Sequence, residues 1–196
     1  MIHSDHIFFS NLHVHYAITF VDVVGSTSIV AKLPGREADV LYMTFLNSIS
    51  DIIVRGGGSI IKTVGDGIMY YFPKTDFGVL ADYEAVLRVG LDVIHAHREI
   101  NDHLHNLELP TIDYRLSASF GPVSIIENDE NDVDDLFGTT VNTCAKMNKL
   151  AEPNSLIIGS VLYEKVKDTK LFKITQHKQF TLDEHLSYMT YLVQEK

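Results

Sequence analysis

The sequence predicts an α+β fold: a ferredoxin-like βαββαβ core with additions at its C-terminal end. Three observations predict it. A strongly apolar run, "YAITFVDV" (16–23), is followed by apolar residues at helical spacing. Two strand-like runs meet at a tight Gly65-Asp66-Gly67 turn, the mark of a hairpin. A second helical stretch then leads into a strictly alternating segment, "TIDYRLSASF". Strand, helix, strand, strand, helix, strand is the split βαβ order, with the first strand central and beside the hairpin.

Each element has its own reason. Residues 16–23 are apolar enough for a buried strand, broken only by Asp22. Val40, Leu41, Phe45, Leu46, Ile49, Ile52 and Ile53 fall on one side of a helix. Pro34-Gly35 should break or kink its early part, and Gly56-Gly57-Gly58 should end it. A second helix is expected over about 78–105, with Val79, Leu80, Val86, Leu87, Leu91 and Ile94 on one side. Ile112, Tyr114, Leu116, Ala118 and Phe120 share one face of a half-buried strand. Gly121-Pro122 is expected to turn that strand back on itself, and most of the acidic run 127–135 reads as a solvated loop. "TTVNTCAKMNKLA" reads as a third helix with Pro153 beyond it, "SLIIGS" as a short strand and "VLYEKVK" as a short helix; "LFKIT" and "YMTYLV" read as closing strands.

A chain of 196 residues suffices for one domain with a sizeable core. Residues 1–15 read as an N-terminal extension and 16–196 as the domain. His3, His6, His13 and His15 are irregularly spaced, and a polar lead-in explains them better than a metal site. Apolar content of 45% and charged content of 21% are those of an ordinary globular protein. A formal charge of −10 argues against a nucleic-acid surface, although metal ions could still neutralise a nucleotide's phosphates. The only cysteine, Cys144, forbids an internal disulfide and suits a reducing compartment. No apolar run reaches membrane-spanning length, and "MIHSDHIFFS" lacks the pattern of a signal peptide, so a cytoplasmic location without membrane attachment is expected.

The chemistry centres on two acids. The βαββαβ plan brings Asp22, near the end of the first strand, to the same sheet edge as Asp66 in the hairpin turn. Two carboxylates there repel unless a cation lies between them, and magnesium takes one or two carboxylates plus phosphate oxygens. Gly25-Ser26-Thr27 opens a helix whose backbone N–H groups can meet phosphates. Strand, acid, small turn and helix together describe a metal-triphosphate cradle. Each part has a plainer explanation alone: Ser26 or Thr27 as a helix cap, Asp66-Gly67 as a favoured turn.

These stretches resemble the class III nucleotidyl cyclase catalytic domain, the adenylate and guanylate cyclase family. "FVDVVGST" resembles its first metal motif, "IIKTVGDGIMYYF" its second and "DLFGTTVNTCAKM" its helical third; "SFGPV" resembles the turn before its dimerisation arm. The similarity covers about residues 16–193. It implies attack of a ribose 3′-hydroxyl on the α-phosphorus of a nucleoside triphosphate, giving a 3′,5′-cyclic nucleotide and pyrophosphate. It implies two divalent cations, Mg²⁺ or Mn²⁺, held by Asp22, Asp66 and the Val23 carbonyl, with Val24, Gly25, Ser26 and Thr27 around the phosphates. It also implies an antiparallel homodimer in which one chain supplies the metals and the other the base and ribose contacts. Lys62 and Asp135 match the base-reading pair. A lysine donor with a carboxylate acceptor complements adenine and mismatches guanine at the same two atoms. Asn142 matches the ribose-orienting asparagine. Lys146, one helical turn on, stands where the family has an arginine, keeping the charge but losing the two-pronged fork. Cys144 faces elsewhere on that helix, as a core residue. The leading expectation is an ATP-specific cyclase. The alternatives are a cyclase for another base, guanine or a pyrimidine, and a degenerate nucleotide-binding sensor.

Overall fold

A computed structural model describes residues 8–127, 133–183 and 186–196. The chain opens with a long strand, β1 (Phe8–Val23), then a short helix α1 (Ser26–Val30) and a long one, α2 (Gly35–Arg55). The hairpin β2 (Ser59–Val64) and β3 (Gly67–Phe72) follows, then a 3₁₀ turn (Pro73–Phe77) and helices α3 (Leu80–His95) and α4 (His97–Asn106). After β4 (Tyr114–Glu127) and β5 (Val133–Phe137) come α5 (Thr139–Asn148), β6 (Leu156–Gly159) and α6 (Ser160–Val166). The hairpin β7 (Phe172–Asp183) and β8 (Leu186–Glu195) closes the chain.

The strands form one sheet in the order β2-β3-β1-β4-β6-β8-β7, with β5 added on β4. β1 is central, antiparallel to β3 on one side and to β4 on the other. Its alternation serves two cores. Ala17, Val21 and Val23 face a layer of α2, α3, α4 and α6, while Ile18 faces α5. On α2, Leu41, Phe45, Ile49 and Ile53 recur every four residues and are all essentially inaccessible to solvent. Burying each contributes about 1.5–3 kcal/mol, which is what holds the helix on the sheet.

Three expectations need correction. β1 starts at Phe8 rather than at residue 16, because its early half also pairs with β4, up to Phe8 opposite Glu127, with one irregularity between Phe9 and His13. The single helix expected over 78–105 is two helices meeting at Ala96. At the junction His97 Nε2 lies 2.9 Å from Asp113 Oδ1, and the Asn101 amide bonds both the N–H and the carbonyl of Ile112. Gly121-Pro122 makes no turn, and β4 runs straight through. Pro122, opposite His15 of β1, is tolerated in mid-strand because on the other side of β4 β6 stops pairing at Ala118 and β5 starts at Ser124, leaving no strand neighbour on that side. Its carbonyl accepts the Thr140 hydroxyl instead (2.8 Å), and Gly121 lacks the Cβ that would lie 2.7 Å from that oxygen. The loop expected over most of the acidic run falls largely outside the described residues, which omit 128–132. Asp135 sits in β5, opposite Ile126.

The hairpin turn is pressed onto the end of β1. A Cβ on Gly67 would lie 1.9 Å from the Val21 carbonyl oxygen and 3.0 Å from the Asp22 Cα. Gly67→Ala must therefore push the two strands apart. The expected result is a loss of about 1–3 kcal/mol in stability, read as a lower urea midpoint.

Candidate active site

Two clusters of the predicted residues form, one around Asp22 and Asp66 and one joining Lys62 to Asp135. The first is built at the C-terminal end of β1. The Val23 N–H donates to Asp66 Oδ2 (3.2 Å), and the next N–H, on Val24, donates to the Asp113 carbonyl (2.8 Å). The strand end is thus pinned from both sides, with Asp66 held against the backbone that follows Asp22. The fold brings the two acids to one edge, as the strand order requires.

Asp22 has partners that the sequence did not announce. Arg115 faces it across the β1–β4 ladder and donates two bonds, Nε to Oδ1 (3.0 Å) and Nη2 to Oδ2 (3.2 Å). The Asn148 amide, from the last turn of α5, donates to Oδ1 as well. Arg115 Nη1 also reaches the Lys149 carbonyl (3.4 Å). Asn148 is buried, and its own Oδ1 is without a hydrogen-bond partner among the described residues. From α2, Tyr42 approaches the cluster. Burial first, then the Asp66 charge, raise its phenol above the ordinary value, and a bond with Ser26 partly offsets them.

The turn after β1 carries the remaining phosphate candidates. Gly25 has φ 69°, in the left-handed region that favours glycine, and stands at the N-cap of α1. No side chain caps this helix, so the hydroxyls of Ser26 and Thr27 are not explained as caps. α1 has only five residues, so its dipole is small. What the turn offers is backbone N–H groups and two hydroxyls beside the acids.

The second cluster joins β2 to β5. Lys62 Nζ and Asp135 Oδ2 form an ion pair, although 73 positions separate them in the chain. Both are partly solvent-exposed, with side-chain accessibilities of 46% and 28%. The other Asp135 oxygen accepts the Leu136 N–H (2.8 Å), which fixes the carboxylate. A donor and an acceptor therefore lie side by side at a solvent-facing site.

Asn142 and Lys146 lie one turn apart on the exposed side of α5. Asn148, at the end of the same helix, turns inward to Asp22. Within one chain, then, α5 supports the acidic cluster with one face and presents Asn142 and Lys146 away from it. Cys144 is fully buried on the sheet side. Its thiol donates to the Ile18 (3.2 Å) and Ser117 (3.3 Å) carbonyls, and burial pushes its pKa up to about 12. It is a packing residue.

The acidic cluster suits a hard divalent cation. Its donors are oxygen atoms: Asp66 uses only one oxygen, in a backbone bond, while both Asp22 oxygens accept from Arg115 or Asn148, so Asp22 would bind a cation by sharing its carboxylate with the guanidinium. No group of three or more histidine, cysteine, aspartate or glutamate side chains that could hold a metal occurs among the described residues. That leaves the Asp22/Asp66 pair, a ligand count which magnesium completes with water and phosphate.

The fold is that of a cyclase catalytic domain. It superposes on the adenylyl cyclase CyaB of P. aeruginosa with a TM-score of 0.84 at 19% identity, covering 94% of this chain and 96% of that one. It also superposes on the guanylyl cyclase Cya2, with a TM-score of 0.80 at 19% identity, covering 93% and 92%. The chain belongs to the family of adenylate and guanylate cyclase catalytic domains, whose pattern it matches over residues 10–195. It is 24% identical over 154 residues to an adenylate cyclase of Streptomyces coelicolor, covering 79% of this chain and 35% of that protein. The chain spans about a third of the length of the curated relatives it matches. No helix among the described residues is long and apolar enough to cross a membrane.

Proposed function

We propose that the chain is an adenylate cyclase, converting ATP to 3′,5′-cyclic AMP and pyrophosphate at sites shared between two copies of itself. The observation that carries the choice of base is the Lys62–Asp135 pair. Adenine offers an acceptor at N1 and a donor at its exocyclic amino group. The lysine serves the first and the carboxylate the second. Guanine reverses both, leaving two polar groups of the site unpaired, which discriminates strongly.

The residues divide the work by position. Asp22, Asp66 and the Val23 carbonyl would hold two divalent cations, which when bound supply charge neutralisation at the triphosphate and acidify the attacking hydroxyl. Gly25, Ser26 and Thr27 receive phosphate oxygens, whereas the Val24 N–H, already given to the Asp113 carbonyl, only fixes the turn that presents them. Asn142 orients the ribose and Lys146 places a positive charge beside the phosphorus, both from the second chain. The outward direction of Asn142 and Lys146, set against the inward direction of Asn148, supports that division. A lysine in place of a guanidinium makes one contact where a fork makes two, so transition-state stabilisation is weaker than in members with the arginine.

The test is a product assay. The purified chain is incubated separately with ATP, GTP, CTP and UTP, with Mg²⁺ or Mn²⁺, and the products are identified by mass. ATP is expected to give cyclic AMP at a kcat/KM at least about a hundredfold above that of GTP. A preference for GTP or a pyrimidine triphosphate overturns the reading of Lys62 and Asp135. No product from any of the four overturns the catalytic reading and favours a nucleotide sensor.

A further inference from the structure

We infer that the chain has a second small-molecule site, away from the acidic cluster, for an uncharged ring compound bearing one hydroxyl group. It occupies the gap in the sheet noted at Pro122. β6 stops pairing with β4 at Ala118 and β5 begins at Ser124. The N-terminal ends of α5 and α6 and the β7–β8 hairpin close around that gap and leave a cavity of about 190 Å³. A dry cavity of about 150 Å³ holds a benzene ring, so this one holds a ring with a substituent.

The walls set the chemistry. Phe120, Pro122, Met147, Phe180 and Tyr188 make most of the surface apolar, with a thioether and aromatic rings suited to a flat partner. Among the described residues none that lines the cavity is charged, so an ion would be desolvated there without a counter-charge. Two hydroxyl groups break the apolar wall. Ser119 is 7% exposed and Thr143 is 6% exposed, and both line the cavity. A ligand hydroxyl can donate to one of them and accept from the other. The first turn of α5, which begins beside the cavity at Thr139, has no side-chain cap and adds backbone N–H groups on that side.

The other spaces on the surface do not combine these features. A wider groove of about 590 Å³ between α2 and α3 is lined by Arg55, Asp92, His95 and Glu99, a mixed-charge surface. The gap cavity also lies against α5, the helix that carries Asn142 and Lys146 on its outer side. An occupant would brace that helix from behind.

The test uses 4-fluorophenol as the probe, followed by fluorine NMR and by thermal shift of the whole chain, with fluorobenzene and 4-fluorobenzoate as comparisons. 4-Fluorophenol is expected to bind saturably at one site and raise the melting temperature. Fluorobenzene should bind about five- to tenfold more weakly for want of the hydroxyl, and the charged benzoate should not bind. Thr143→Val keeps the shape and removes one hydroxyl; Ser119→Ala removes the other. Each should weaken 4-fluorophenol about five- to tenfold and leave fluorobenzene unchanged. Gly159→Ala places a methyl group 3.3 Å from Ser119 Oγ and 3.6 Å from Met147 Sδ and should weaken both probes. If that variant does not fold, Val161→Trp at the half-exposed rim serves the same purpose. Absence of saturable binding at millimolar probe overturns the site and leaves the cavity to water. Binding that is unchanged in all the variants, or equal for phenol and benzoate, overturns it as well.

Discussion

Asp22→Ala and Asp66→Ala are each expected to lower cyclic-nucleotide formation by at least about a hundredfold, the scale of removing one preorganised charge contact from a reacting phosphate. Their stabilities should differ. Asp66 receives a single bond from the Val23 N–H, so its loss should cost about 1 kcal/mol or less. Asp22 is the partner of both Arg115 and Asn148, and its removal strands a half-buried guanidinium and a buried amide. A loss of about 1–3 kcal/mol should follow, visible in urea melts. Activity at saturating Mg²⁺ and Mn²⁺, measured alongside the melts, separates the two effects. Full activity in either variant would remove that residue from the site. Equal stability losses in both would show that Arg115 is not held by Asp22 in solution.

The second large effect is recovery from two dead proteins. Asp22→Ala and Asn142→Ala homodimers should each be nearly inactive. In a mixed dimer one site carries both lesions and the other carries neither. Random pairing makes about half the dimers mixed, so activity should return to about a quarter of wild type. Recovery should need time for exchange and should fall on dilution. Co-expression is the control for a dimer too tight to exchange. If mixed dimers are demonstrated and remain inactive, Asp22 and Asn142 do not complete one another's sites, and the shared-site mechanism fails.

How much of this could be read from the chain differs from element to element. α2 and the β2–β3 hairpin were legible, because a four-residue apolar repeat and a Gly-Asp-Gly turn are local signals. The early half of β1 had a signal too. Leu12, Val14 and Tyr16 alternate with His13 and His15, but the histidines suggested a polar lead-in. The passage of β4 through Gly121-Pro122 could not be read locally, since it depends on where β5 and β6 stop pairing. The juxtaposition of Asp22 and Asp66 followed from the order of elements. That of Lys62 and Asp135 came from resemblance alone, because nothing in their spacing implies contact. Arg115 was hidden for a different reason. It is one polar residue in an alternating strand, and only the β1–β4 register places it opposite Asp22. Asn148 and Tyr42 were invisible in the same way, being oriented by helix packing rather than by any motif.

The seclusion of Cys144 gives the chain a built-in reporter. Its sulfur lies on the sheet under α5, with no accessible surface and with its thiolate form suppressed by burial. An alkylating reagent can reach it only when α5 lifts from β1 and β4, so the labelling rate measures how often that helix opens. Mild oxidants should leave the folded chain untouched for the same reason. The redox state of the surroundings is therefore a matter of indifference to the native protein, and what the single cysteine records is the breathing of the helix above it.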